Sequence, residues 1–133
     1  DRVINYMAKR EYFDGALAPL FKWAGCIPVN RDGFDAAAVR RAIKILKNGG
    51  AVGIFPEGTR NRTDKLLLAF KPGAAAIAKR GGALIVPFAI SGEYRKNGNL
   101  KILFGEPFSP ESMSVEEATD KLYSAVSNLL ESQ

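Results

Sequence analysis

The sequence contains no histidine and a single cysteine, Cys26. Without histidine, no imidazole general base and no His-containing zinc site can be assembled from these residues. One cysteine excludes an internal disulfide, which suits a reducing compartment. Long apolar runs are missing as well. The longest, residues 83–90, is strand-sized and interrupted by Pro87, far short of the ~20 residues that span a bilayer. No secretory-signal pattern occurs. Neither G-x-x-x-x-G-K-[ST] nor G-x-G-x-x-G is present, so no nucleotide loop is expected.

What is present fits one compact domain. The 133 residues suffice for a single hydrophobic core, and the 47% hydrophobic and 25% charged content is that of an ordinary globular protein. Lys plus Arg is 19 against 14 for Asp plus Glu, a net charge of +5. Such a domain attracts anionic partners, whether phosphate esters, acidic lipid headgroups or nucleic acid, although solubility alone is an equally simple reason for the charge. Nucleic acid is the least expected of these, because the basic residues are not interleaved with aromatics in a stacking platform.

Apolar β-branched stretches alternate with helical patterns, so the expected class is α/β: a mixed, largely parallel sheet flanked by helices. Strands are expected at residues 3–8, 26–29, 51–55, 84–90 and 100–104. Residues 12–24 predict a short or broken helix, given Gly15 and Pro19. Asp35 predicts an N-cap for a helix over 36–48, closed by Gly49-Gly50. Pro72-Gly73 opens another helix to Lys79, stopped by Gly81-Gly82. Asn97-Gly98 marks a turn. Ser114 with Glu117 forms a capping box before an apolar stripe of Val115, Ala118, Leu122, Ala125, Val126 and Leu129.

In open α/β sheets, ligands sit beyond the carboxyl ends of the strands. The expected strand over 26–29 is followed by Asn30 and Arg31, and that over 51–55 by Pro56-Glu57-Gly58-Thr59-Arg60. If the two strands are parallel neighbours, Arg31 and Arg60 converge on one edge, where paired guanidiniums suit a phosphate. As lone loop arginines they could equally be solvated. Gly58 permits close backbone approach, and Thr59 adds a hydroxyl. Glu57 is most simply the ion-pair partner of the arginines, with binding of a substrate hydroxyl as the alternative. Lys65, Lys71, Lys79 and Arg80 add positive charge that could meet a headgroup or remain a solvated face.

These residues resemble the conserved blocks of the glycerolipid (lysophospholipid) acyltransferase family. Phe55-Pro56-Glu57-Gly58-Thr59-Arg60 is similar to the family's third block. Gly25-Cys26-Ile27-Pro28-Val29-Asn30-Arg31 resembles the second, and Ile85-Val86-Pro87-Phe88-Ala89-Ile90 the fourth. Ala8-Lys9-Arg10-Glu11-Tyr12-Phe13 and Lys71-Pro72-Gly73-Ala74 also fit, in the family's order and across nearly the whole chain.

The resemblance implies acyl transfer from acyl-CoA or acyl-carrier protein to the free sn-2 hydroxyl of a lysophospholipid acceptor, typically lysophosphatidate, in phospholipid synthesis. It implies no cofactor and no metal. Arg31, Glu57, Gly58, Thr59 and Arg60 match positions that bind the acceptor. Pro87 matches one linked to donor binding or packing, and packing is the expected role. The family's base is a histidine in a His-x-x-x-x-Asp block. That block is absent from these residues and belongs upstream of Asp1, so the chain is expected to be a single core domain over 1–133, its amino-terminal part missing, that binds without catalysing. A non-catalytic module for anionic lipid or phosphate is the alternative. The family acts on lipid, so contact with a membrane surface, at its cytoplasmic face, is a further implication. Tyr12, Phe13, Leu17, Leu20, Phe21, Lys22 and Trp23 mix aromatic, aliphatic and basic groups as an interfacial segment would, with core filling as the simpler expectation. Cys26 is expected to be a small buried hydrophobe.

Overall fold

The computed structural model describes residues 1–30 and 32–133. Strand β1 (Ile4–Lys9) leads into a 3-10 turn (Arg10–Phe13) and helix α1 (Ala18–Trp23). Pro19 falls in the first turn of α1, where a missing N–H costs nothing. Strand β2 (Ile27–Val29), helix α2 (Ala36–Lys47) and strand β3 (Ala51–Gly53) follow. These strands form a parallel sheet in the order β2-β1-β3. The upper half of β1 pairs with β2, setting Lys9 opposite Val29, and its lower half with β3, setting Tyr6 opposite Gly53. Gly53 is favoured there because Tyr6 ring atoms lie within 2.4 Å of where a Cβ would be.

Helix α3 (Gly73–Gly81) closes at Gly82, and strands β4 (Phe88–Ser91) and β5 (Lys101–Phe104) form an antiparallel pair. The last helix, α4 (Val115–Glu131), starts on Ser114, whose Oγ accepts from Glu117 N at 3.0 Å. Two differences from expectation follow from pairing partners. The strand expected over 84–90 is split: Ile85 bridges to Phe108, Pro87 offers no N–H, and the ladder resumes at Phe88. β4 therefore pairs with β5 and is not bonded into the parallel sheet. The strand expected over 51–55 ends at Gly53, because the chain turns at Pro56 with Gly58 N donating to Phe55 O at 3.0 Å.

Two apolar clusters hold these layers together. One joins Ile27, Ala38, Ala42 and Ile43 to Ile77; the other joins Ala75, Ala78, Ile85, Ala89 and Phe108 to Ala118, Leu122 and Val126. Ile77 belongs to the first cluster and Ala75 and Ala78 to the second, so α3 is the shared wedge that fixes the loop preceding it.

The segment over 12–24 does not fill the core as expected. Phe13 and Phe21 are half-buried and pack on one another with centroids 5.9 Å apart, and Tyr12 stacks on Phe21 at 5.3 Å. Leu17, Leu20 and Trp23 face outward, and no residue of α1 is buried. The helix is too short and peripheral to bring more than one apolar face to the protein. Cys26 is half-buried, just before β2.

Candidate functional site

The three parallel strands run the same way, so Lys9, Asn30 and the segment from Ile54 to Arg60 emerge at one edge of the sheet. β1 lies between β2 and β3, which sets those outer strands about 10 Å apart rather than side by side. The expected direct neighbourhood of the two arginine-bearing strands is thus corrected, and Arg31 itself lies outside the described residues. The central position at this edge belongs to Lys9. Extending the β1–β3 register by three residues brings Pro56 level with it. Lys9 is a cation that sequence reasoning did not place in the site; it was visible as the last residue of the first strand, but the strand order was not.

The flank after β2 is shaped by Asp35. Its Oδ2 accepts from Asn30 N at 2.8 Å and its Oδ1 from Ala38 N at 3.0 Å, tying the end of β2 to the start of α2. Those backbone donors, Asn30 first and Ala38 next, hold the Asp35 carboxyl below its ordinary range. Asn30 Oδ1 in turn accepts from Asp32 N at 3.1 Å.

The flank after β3 is braced at three points. Lys71 N donates to Pro56 O at 2.8 Å, fastening the turn to the entrance of α3. Glu57 Oε2 accepts from Leu68 N at 2.9 Å. Gly58 has φ 70, a left-handed conformation, and the Lys71 side chain lies across it. The expected pairing of Glu57 with Arg31 and Arg60 is corrected for Arg60: among the described residues Glu57 forms no ion pair, and its carboxylate is used on a backbone amide 11 positions away; a pairing with Arg31 lies outside the described residues. Beyond Arg60 a second turn closes on itself, with Asn61 Oδ1 accepting from Thr63 N at 3.0 Å and Asn61 Nδ2 donating to Lys65 O at 2.6 Å. Thr59 and Arg60 are left exposed between two fixed turns. Arg60 forms no ion pair among the described residues, so its guanidinium is available to an anion.

An apolar cleft of about 1140 Å³ starts at this same loop. Pro56 and Glu57 stand at one part of its wall, and Leu66, Phe88, Ile102 and Leu122 line its course between β3 and the β4–β5 pair. Aromatic rings run along it: Tyr6–Phe55 at 6.1 Å, Phe55–Phe88 at 5.7 Å and Phe88–Phe104 at 6.3 Å. A braced cationic loop that opens onto an apolar cleft suits an amphiphile with an anionic head and a hydrocarbon tail. Among the described residues, no group of acidic, cysteine or histidine side chains could hold a metal ion.

Comparison with known proteins identifies the family and the fold. The sequence model of the Acyltransferase family matches residues 1–91. A 1-acyl-sn-glycerol-3-phosphate acyltransferase of Bacillus subtilis is 40% identical over 110 residues, covering 78% of this chain and 54% of its own length. One from Streptococcus pneumoniae is 27% identical over 138 residues, covering 96% of this chain and 48% of its own. A chloroplast 1-acyl-sn-glycerol-3-phosphate acyltransferase of Arabidopsis thaliana is 29% identical over 122 residues, covering 78% of this chain and 34% of its own. The crystal structure of the 1-acyl-sn-glycerophosphate acyltransferase PlsC from Thermotoga maritima superposes with a TM-score of 0.74 at 24% identity, over 96% of this chain and 56% of that one, which establishes a shared fold. The chain spans about half the length of the Bacillus subtilis and Streptococcus pneumoniae relatives.

Proposed function

Because the chain belongs to the Acyltransferase family, we propose that it is the core of a 1-acylglycerol-3-phosphate O-acyltransferase, which esterifies the sn-2 hydroxyl of lysophosphatidate to give phosphatidate. The observation that carries this reading is that Pro56 and Glu57 belong both to the braced cationic loop and to the wall of the apolar cleft. An acceptor whose phosphate rests on Arg60 and Arg31, with Lys9 near the same edge, would have its acyl tail beside that cleft. Thr59 presents a hydroxyl donor to the same headgroup, and Gly58, whose own N–H is taken by Phe55 O, lets a ligand approach the backbone closely.

The donor is a thioester of coenzyme A or of an acyl-carrier protein. The acceptor's hydroxyl oxygen bonds to the thioester carbonyl carbon, the carbon–sulfur bond breaks, and the thiol leaves. The hydroxyl proton goes to a base and from it to the departing thiolate sulfur, which leaves as the free thiol. These residues contain no histidine, so the histidine that the family resemblance implies is contributed from outside residues 1–133. The role of the present residues is to bind and orient the acceptor, which converts an encounter in solution into a positioned attack. The reaction belongs at the cytoplasmic face of a membrane, where the acceptor lipid is held. Support for that location is the net charge of +5 and the exposed apolar face of α1. No described helix is long and apolar enough to cross a membrane.

The test is Arg60→Ala in the full natural protein that carries this core. The expected result is a raised KM for lysophosphatidate with the donor KM unchanged. Unaltered lysophosphatidate saturation would remove the acceptor-site assignment. Tight lysophosphatidate binding by the intact wild-type protein, with no transfer from any thioester, would favour a non-catalytic lipid-binding module.

A further inference from the structure

We propose that the outer face of α1, formed by Leu17, Leu20 and Trp23, is the surface by which this core docks on an anionic phospholipid bilayer. The inference deepens the reading above and rests on it, because it supplies the contact through which a bilayer-held acceptor reaches the cationic loop.

The first support is the helix itself. Leu17, Leu20 and Trp23 recur every third residue and so fall within one 120° arc of the helix. They are 61%, 54% and 85% exposed. An isolated helix of six residues is not stable in water, yet α1 has no buried residue of its own. It is held through Phe21, packed on Tyr12 and Phe13, which leaves the adjoining face of Leu17, Leu20 and Trp23 presented outward in a fixed orientation. Trp23 at the carboxyl end supplies an amphipathic ring of the kind that settles at headgroup depth.

Position is the second support. The 3-10 turn begins where β1 ends at Lys9, so α1 grows from the same edge of the sheet as the Glu57–Arg60 loop. The Leu17 end of α1 is thus the end nearer that loop, while the Trp23 end returns toward Asn5 of β1, whose Nδ2 donates to Gly25 O at 2.8 Å.

Charge is the third. Lys9, Arg10 and Lys22 outnumber Glu11 and Asp14 around the helix, and Arg60, Arg62, Lys65 and Lys71 outnumber Glu57 and Asp64 across the neighbouring loop. An apolar face bordered by basic residues matches an interface with anionic lipids better than it matches a neutral protein groove.

Trp23 is the sole tryptophan of the 133 residues, so its fluorescence reports on this face alone. The chain is titrated with phosphatidylcholine vesicles, with and without phosphatidylglycerol, and with vesicles of brominated-acyl lipid. A blue shift of Trp23 emission and bromine quenching, stronger with phosphatidylglycerol, are expected. Paired Leu17→Ser and Leu20→Ser substitutions should weaken vesicle binding by about tenfold or more while leaving the melting temperature and far-UV spectrum unchanged, since neither side chain is buried. Chain that sediments with vesicles while Trp23 keeps the emission of a water-exposed ring overturns the proposal. So does undiminished binding by the paired variant. In the full natural protein, a Trp23 already shielded from aqueous quenchers without lipid would mean that polypeptide covers the face, which also overturns it. Binding of a short-chain, monomeric lysophosphatidate is measured without vesicles. Its loss with Trp23 insertion intact sinks the acceptor reading alone, and the converse sinks the docking face alone.

Discussion

The Lys71 side chain lies across Gly58: a methyl group at Gly58 would meet Lys71 Nζ at 2.9 Å and its Cδ and Cε at 3.0 Å. Lys71 is also tied to the turn by its backbone, through Lys71 N and Pro56 O at 2.8 Å. Its ammonium is thus carried next to the Thr59-Arg60 segment, and Gly58 leaves it room. The lysine tip is flexible and would yield, so the main cost of Gly58→Ala is the left-handed backbone at φ 70, on the order of 1 kcal/mol. The expected outcome is a small fall in melting temperature together with a rise in lysophosphatidate KM, because Lys71 must swing away. A fall in melting temperature with unchanged KM would mean that Lys71 merely covers the turn.

Glu57 separates support of the loop from ligand contact. Its Oε2 accepts from Leu68 N, so removing the acceptor leaves a half-buried amide without a partner. Glu57→Ala should cost about 1 kcal/mol in chemical denaturation and disorder the loop. Glu57→Gln keeps a carbonyl oxygen for that amide and should recover most of the loss. If Glu57→Gln is as stable as wild type yet binds lysophosphatidate more weakly, the carboxylate charge is used on the acceptor's hydroxyl as well.

Features governed by neighbours in the chain were legible from the residues alone. Asp35 caps α2 and Ser114 caps α4, each through a backbone amide three residues on, and Asn97 takes the left-handed turn conformation with φ 68. Relationships set by distant pairing were not legible. The central place of β1, and with it the position of Lys9, depends on α2 carrying the chain across β1 to the far side. The partner of Glu57 is a backbone amide, which composition cannot single out. Leu17, Leu20 and Trp23 have the composition of core, and only the placement of Phe21 against Tyr12 and Phe13 decides which face turns outward.

Asp35 gives the fold an acid-sensitive joint. Its folded carboxyl titrates below the ordinary range because Asn30 and Ala38 donate to the charged form. A depressed carboxylate stabilises the fold at pH values above its unfolded pKa, and that contribution is lost as pH falls through the lower, folded value. Asp35→Ala should cost about 1 kcal/mol near neutrality, as loss of a helix cap does. The wild-type and variant denaturation midpoints should converge below the ordinary carboxylate range. A constant gap down to strong acid would mean that Asp35 acts through packing rather than charge.

Pro87 sits in the segment that resembles the family's fourth block, and its surroundings assign it to packing. It is among the fully buried side chains, and its carbonyl accepts from Gly105 N at 2.9 Å. Ile85, Val86, Phe88 and Ala89 line the apolar cleft on either side of it in sequence, whereas Pro87 does not. Its missing N–H explains why the strand breaks between the Ile85–Phe108 bridge and β4. Pro87→Ala should therefore lower stability by about 1–2 kcal/mol through lost buried contact and leave the thioester donor's KM unchanged. The measurement pairs thermal denaturation with donor saturation kinetics in the full natural protein. A raised donor KM with an unchanged melting temperature would move Pro87 from the core to the donor site.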